Sequence, residues 1–311
     1  MEQKTYRYLE QLKRIAGNEN VAVEEPLKRH TSFRIGGPAD YFVTPQEEEA
    51  LRGVTDYCRQ EGLPYYVIGN GSNLLADDEG YRGVIIQLWK NYAGIRVSED
   101  MITAQAGCLL SSLAARACRE SLTGLEFASG IPGTLGGGTV MNAGAYGGEL
   151  KDVITSVRVM TQEGEFLEFS AEQMQFGYRT SVVPRKGYIV LEGSLRLKKG
   201  DPEQIAAVME ELRQKRNAKQ PLDLPSAGST FKRPEGYFAG KLIMDAGLAG
   251  FRVGGAMVSP KHCGFVVNVG GATAEDVKSL IQQVQDRVLA QFGVMLEPEV
   301  KYLSGSGHDQ A

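Results

Sequence analysis

GIPGTLGGGTVMNAGAYGG, residues 130–148, carries eight glycines and no charged side chain in the middle of a 311-residue chain. Glycine loses more backbone freedom on folding than any other residue. Such density is kept where the chain needs positive φ or where something bulky lies against the main chain. Backbone N–H groups with no side chain above them form a cradle for a phosphate or a flat ring. A flexible linker is the plain alternative, but linkers of that kind are rich in serine and other polar residues. Here Ile131, Pro132, Leu135, Val140, Met141 and Tyr146 separate the glycines. The stretch reads as a packed, ligand-lining loop.

The surrounding composition bounds what such a loop can serve. Hydrophobic residues make up 42% of the chain and charged residues 23%, values of a globular protein. The length suits about two domains. A net charge of −4 with scattered basic residues argues against nucleic-acid and membrane-surface partners. The densest basic cluster, Arg213, Lys215, Arg216 and Lys219, ends a predicted helix and reads as a solvated face complementing the helix dipole. No window approaches the roughly 20 apolar residues of a membrane span. The opening MEQKTYRYLEQLKRIAG is charged and amphipathic, unlike a signal peptide. Cys58, Cys108, Cys118 and Cys263 form no CxxC pair and read as small core residues in a reducing compartment. The three histidines, His30, His262 and His308, do not cluster, so no metal site is expected. The expectation is a cytoplasmic, soluble chain.

Tyr6, Leu9, Leu12 and Ile15 predict an amphipathic helix that Gly17 and Asn18 stop. In HTSFRIGGPADYFVTP (30–45), Phe33 and Ile35 and then Tyr41–Val43 read as extended pieces joined at Gly36-Gly37-Pro38. Residues 46–61 predict a helix. The strand YYVIG then runs into GNGSNLL (69–75), a junction with free backbone donors. It lacks the third glycine of the dinucleotide fingerprint, and Leu74, Leu75, Asp77 and Asp78 do not open a helix, so tight turn and phosphate loop both stay open. GVIIQL (83–88) reads as a strand, residues 95–107 as a hairpin and residues 109–121 as a helix.

After the glycine stretch, residues 153–169 predict a hairpin turning at Glu163-Gly164, followed by the strand YIVLEGSLRL. Pro202 opens a helix running to about Asn217. QPLDLPSAGSTFKRP (220–234) has little periodicity. A segment over 240–246, the strand CGFVVNVG (263–270) and a long helix capped by Thr273 with Asp276 at the box position come next. MLEPEVKYL is strand-like, and residues 304–311 read as a disordered tail. Without regular βα alternation the class is α+β, with a composition break near Gly200.

Three polar residues stand in unusual company: Arg179 after Gly177-Tyr178, Ser229 in AGSTF, and Glu299 after Pro298. Singly, each has a bland reading as a surface pair, a turn former or an exposed strand residue. Together with seven ordered motifs they resemble the UDP-N-acetylenolpyruvoylglucosamine reductase family of flavoenzymes. The motifs are HTSFRIGGPAD (30–40), VIGNGSNLL (67–75), GIPGTLGGGTVMNAGAYGGE (130–149), YRTS (178–181), AGSTFKRPEGYFAGKLI (227–243), GFRVGGAMVSPKHCGFVVN (250–268) and LEPEVK (296–301), so the resemblance covers about residues 25–303. Because residues 179–193 run into a strand without a long insertion, the resemblance is to the shorter form that lacks a tyrosine-bearing loop.

The resemblance implies a vanillyl-alcohol-oxidase-type FAD-binding fold over residues 1–200, in lobes of about 1–90 and 91–200, and a substrate domain over 201–303. It implies noncovalent FAD, NADPH as reductant, a UDP-sugar substrate, a monomer, and a role in bacterial peptidoglycan precursor synthesis. Gly69, Asn70, Gly71, Ser72 and Asn73 would hold the FAD pyrophosphate. Gly130, Pro132, Gly133, Thr134, Gly136, Gly137, Asn142, Ala143 and Gly144 would line the flavin, with Thr31 and Arg34 approaching from the N-terminal lobe. Asn142 and Tyr146 would be the stretch's side-chain contacts. Arg179, Ser229 and Glu299 fall on the family's catalytic positions.

The implied reaction passes a hydride from flavin N5 to C3 of the enolpyruvyl group, and Ser229 gives a proton to C2. Lys232, Lys241 and Lys261 are candidate helpers of that serine. Tyr146, Arg252, Lys261 and His262 are candidate contacts to the diphosphate or sugar. Gly138 stands where alanine is expected and Met244 where an acid is expected. Two other readings remain: an oxidase of the same flavin fold acting on a sugar or alcohol, and a non-enzymatic nucleotide-binding module.

Overall fold

The protein is described by a computed structural model over residues 7–305. Tyr6 of the opening helix and most of the expected 304–311 tail, including His308, lie outside the described residues. The helix occupies Leu9–Ala16 and stops at Gly17, whose φ of 96° a side chain would resist.

Tyr81–Gln87 is one of the two inner strands of the first sheet. Val84, Ile85 and Ile86 are wholly buried, as a continuous apolar run on a strand covered on both faces must be. The order is Val21–Pro26, Pro38–Val43, Tyr81–Gln87, Tyr65–Ile68, with the first pair antiparallel and the other two parallel. The expected extended piece at Phe33–Ile35 is instead turn and coil, because Arg34 N donates to the Thr31 carbonyl and Thr31 Oγ1 to the Ile35 carbonyl, closing a local loop. The helix over Glu48–Gln60 buries Leu51, Val54 and Cys58 beneath the sheet.

A five-stranded antiparallel sheet follows, ordered Phe166–Ser170, Ile154–Met160, Ile189–Arg196, Met101–Gln105, Ile95–Ser98. Both expected hairpins are present, the second turning through Gly164 at φ 84°. This sheet shares one core with the first: Leu12, Leu51, Ile86, Ile102, Leu113, Leu135, Val157 and Leu195 belong to the same buried cluster. Two short helices escape the sequence pattern. Leu135–Val140 lies inside the glycine stretch, and Val182–Lys186 sits between Arg179 and the next strand. Glycine's poor helix propensity hides the first, which tertiary packing holds instead.

Beyond the Pro202–Lys219 helix, a three-stranded antiparallel sheet (Arg252–Val253, Ala256–Val258, Val266–Asn268) packs against helices Ala239–Asp245 and Ala274–Phe292. Thr273 and Asp276 form the expected capping box. Phe33, Ile35 and Leu75 insert into this second core. The chain then returns: Lys301–Leu303 pairs in parallel with Leu74–Ala76, immediately after the GNGSN loop. That pairing draws residues near the C-terminal end to a loop 226 positions earlier, since Asn73 Nδ2 donates to the Glu299 carbonyl.

Candidate active site

The two glycine loops lie against one another. Asn70 Nδ2 donates to the Pro132 carbonyl at 2.6 Å, and a Cβ on Gly69 would stand 2.3 Å from Thr134 Oγ1. Gly71 has φ +60°, and its Cβ would meet the His30 carbonyl at 2.0 Å. Ser32 N donates to the Gly71 carbonyl, so the Thr31–Arg34 segment also closes on the loop. Arg34 is exposed there, at φ 55°. The His30 imidazole turns away to Glu25, with Nε2 and Oε1 2.9 Å apart.

The glycines of the 130–148 stretch divide by what a side chain would meet. Gly136 would place a Cβ 2.9 Å from Ala106 Cβ, and Gly148 one 2.6 Å from Phe127 Cδ1. Gly144 would meet Glu149 and Gly148 at 2.7 Å. These three are glycine because protein lies against them. Gly138 belongs with them: an alanine methyl would sit 3.0 Å from Leu110 and Leu150, which accounts for the departure noted there. Gly133 and Gly137 differ. Their nearest atoms would be 3.6 and 3.7 Å away, neither has positive φ, and Gly137 is exposed. Nothing in the protein excludes a side chain at these two positions, whereas a flat ligand against the main chain would. The donor-rich GNGSN loop beside them suits a diphosphate. The residues present therefore fit a dinucleotide.

Asn142, an expected flavin contact, has its side chain turned into the protein. Its side chain is 1% exposed and fully engaged, with Nδ2 donating to Glu149 Oε2 and the Gly177 carbonyl while Oδ1 accepts from Lys151 N. It acts as a bracket that ties the glycine stretch to the turn carrying Arg179. Tyr146 stays 46% exposed on the stretch.

Next to this wall opens a cleft of about 450 Å³ lined by Arg179, Ser229 and Glu299 among others. Arg179 Nε donates to Glu299 Oε1 at 2.7 Å. Arg179 holds φ 55°, a costly conformation for a non-glycine residue that the surroundings must enforce. Asn142 grips Gly177 on one side, and Ser181 Oγ donates to the Val140 carbonyl on the other. Glu299 is set by the returning chain, its N–H donating to the Thr230 carbonyl at 2.8 Å. Thr230 follows Ser229, so one hydrogen bond positions two of the three residues. Among the described residues the Ser229 hydroxyl has no hydrogen-bond partner.

Burial pushes the Glu299 carboxyl above its ordinary value, and the Arg179 charge opposes the shift. A folded-state value above the unfolded one favours the native state at low pH, and that contribution is lost as pH rises through the folded value. Glu299→Gln is therefore expected to flatten part of the decline in stability as pH rises from about 4.5 upward, the unfolded carboxyl value. Urea unfolding of both proteins across that range checks it; identical pH profiles would contradict it.

The expected helpers are occupied elsewhere. Lys232 pairs with Glu297, Lys241 with Asp245, and Lys261 Nζ donates to the Asn217 carbonyl. Lys261 and His262 line the cleft, and burial pushes the His262 imidazole down toward its neutral form. Arg252 does not line it; its Nε reaches Met257 Sδ on the neighbouring strand. Sequence reasoning missed the cleft's rim. Tyr178 and Phe238 are 52% and 61% exposed, Arg233 lies 4.0 Å over the Phe238 ring, and Arg233 N donates to the Tyr178 hydroxyl. The only sequence signal was Tyr178 beside Arg179; Phe238 lies far downstream and joins it only in the fold.

Arg216 also departs from its expected solvated face. Its guanidinium is desolvated against Gly130, while Arg213 and Lys215 on the same helix remain exposed and paired.

Two family profiles match the chain: "UDP-N-acetylenolpyruvoylglucosamine reductase, C-terminal domain" over residues 220–303 and "FAD binding domain" over residues 39–170. A UDP-N-acetylenolpyruvoylglucosamine reductase of Lachnoclostridium phytofermentans is 54% identical, over 95% of this chain and 96% of its own. One of Clostridioides difficile is 53% identical, over 93% and 95%. The crystal structure of the Thermus caldophilus enzyme superposes with a TM-score of 0.77 at 38% identity, covering 91% of this chain and 97% of that one. p-Cresol methylhydroxylase, at 15% identity and TM-score 0.50 over 65% of this chain and 45% of its own, shares the fold alone. The fold is of the vanillyl-alcohol-oxidase type.

Proposed function

The chain belongs to the UDP-N-acetylenolpyruvoylglucosamine reductase family of oxidoreductases, and from that premise we propose that the cleft reduces the enolpyruvyl group of a UDP-sugar at the expense of NADPH. The observation that carries the reading is one cleft holding Arg179, Ser229 and Glu299 beside a glycine wall with two bare positions. Noncovalent FAD fits the GNGSN loop for its diphosphate and the Gly133–Gly137 face for its ring. Held there, FAD would supply the hydride chemistry of the reaction, with NADPH as reductant, flavin N5 as donor and C3 of the enolpyruvyl group as acceptor. The protein's own task is then to manage the charge that develops at C2 and the adjoining carboxylate.

Arg179, held rigidly by its turn and by Glu299, supplies a preorganised cation for that charge. Ser229, whose hydroxyl is unengaged, delivers the proton to C2. Glu299 lies within the same cleft, and burial pushes its carboxyl upward, so it is the group there best suited to replenish that proton. Because Lys232, Lys241 and Lys261 are engaged elsewhere, Glu299 is the better-supported relay. The exposed Tyr178–Arg233–Phe238 rim covers the substrate in place of a longer loop. In this reading residues 1–200 hold the cofactor, residues 201–303 the sugar nucleotide, and the protein works as a cytoplasmic monomer. No helix among the described residues is long and apolar enough to cross a membrane.

The glycine sorting gives a direct test of the cofactor site. Gly137→Val is expected to fold with an unchanged melting temperature and to lose FAD, read as flavin absorbance per protein. Gly136→Val should instead lose about 1–3 kcal/mol of stability through overpacking against Ala106. A yellow, active Gly137→Val protein would remove the flavin from that face. An oxidase of the same fold would be reoxidised quickly by oxygen and not by the enolpyruvyl sugar nucleotide, and stopped-flow absorbance separates the two.

A further inference from the structure

We propose that Arg216 is an anion-recognising residue of the flavin wall, poised for a diphosphate carried by one of the ligands of the reaction proposed above. Arg216 is one turn from the end of the Pro202–Lys219 helix. Its side chain folds back onto the glycine stretch: a Cβ on Gly130 would lie 3.1 Å from Arg216 Cδ, 3.6 Å from Nη1 and 3.8 Å from Nε. Gly130 is two residues before Pro132, whose carbonyl accepts from Asn70 of the GNGSN loop. The guanidinium and the loop's donors thus flank the same short segment.

Two cations of this helix have acids, whereas among the described residues Arg216 and Lys219 have none, and of these two only Arg216 is held down by burial. Arg213 pairs with Glu210 and Lys215 with Glu211. Among the described residues no carboxylate, carbonyl or hydroxyl is bonded to the Arg216 guanidinium. Burial lowers its proton affinity, and the nearby Tyr146 phenol opposes that shift. A partly desolvated cation without a counterion is costly, and the cost is recovered when an anion arrives. The planar fork of arginine matches phosphate oxygens in a bidentate manner, which a lysine does not. The enolpyruvyl carboxylate is already assigned to Arg179, which leaves the diphosphates of FAD, NADPH and the sugar nucleotide as sources.

The experiment compares wild type, Arg216→Met and Arg216→Lys, with Arg213→Gln as the exposed control. Dissociation constants are measured for FAD on flavin-stripped protein, and for NADP+ and UDP-N-acetylglucosamine on flavin-loaded protein. Arg216→Met is expected to weaken one of the three by about tenfold or more, the worth of a charged hydrogen bond, with partial recovery in Arg216→Lys. The constant that moves identifies the source. Without ligand, Arg216→Met should melt at the wild-type temperature or above, because an unpaired charge has been removed. The inference is overturned if all three constants stay within about twofold of wild type, or if Arg216→Met fails to fold or melts lower without ligand, which would make the arginine structural. Wild-type FAD binding and substrate-driven turnover are measured alongside, and their failure would count against the proposed function instead.

Discussion

Ser229→Ala is expected to fold, hold FAD and be bleached by NADPH at the wild-type rate, while its reoxidation by the enolpyruvyl sugar nucleotide slows by about 10²–10⁴-fold. The Ser229 hydroxyl has no protein hydrogen bond to lose, so its removal leaves no orphaned partner. Its position is dictated by neighbours that survive the substitution: Thr230 still receives the Glu299 N–H and still donates its N–H to the Gly264 carbonyl. The half-reaction with NADPH does not involve protonation of C2, so it should be untouched. Stopped-flow absorbance resolves the two halves. Substrate-driven reoxidation at the wild-type rate would remove Ser229 from the chemistry.

Arg179→Met should lower kcat by about 10²–10³-fold, the worth of one preorganised donor aimed at developing charge. It also strands Glu299. With the opposing charge gone, burial pushes that carboxyl further up and it protonates at higher pH. A fully buried pair broken this way costs about 3–5 kcal/mol; with Arg179 22% exposed, the loss should fall below that range. Arg179→Lys keeps a charge but not the Nε geometry, and its activity should lie between the two. The double variant Arg179→Met/Glu299→Gln should regain stability over Arg179→Met without regaining rate. Equal rates for wild type and Arg179→Met would contradict the electrostatic role.

Several elements could be read directly from residues because local chemistry decides them. The Thr273–Asp276 capping box, the Gly17 stop and the Gly164 turn all appear where their residue types require. The Leu135–Val140 helix could not be read this way, since in LGGGTV every residue but Leu135 is glycine or β-branched. Contact with Ala106 and Leu110 makes it a helix. Nor can sequence distinguish Gly136 from Gly137. The two are adjacent and identical, yet one faces Ala106 and the other opens to the exterior. The same limit applies to Arg216 and Asn142. Each side chain's role depends on a segment remote in sequence or on a fold-back geometry, and charge pattern alone makes Arg216 another solvated cation. The convergence of Arg179, Ser229 and Glu299 followed from motif order and not from spacing. Their separation closes only when Lys301–Leu303 returns to pair with Leu74–Ala76.

The central claim is that one cleft, lying beside a wall of bare glycine backbone, couples a reduced flavin to an enolpyruvyl sugar nucleotide. Its most direct test is the absorbance of the purified, FAD-loaded protein under anaerobic conditions. NADPH should bleach the flavin bands, and UDP-N-acetylglucosamine enolpyruvate should then restore them with one equivalent of UDP-N-acetylmuramate formed. Bleached flavin that the enolpyruvyl substrate leaves unchanged, and that only oxygen reoxidises, would contradict it.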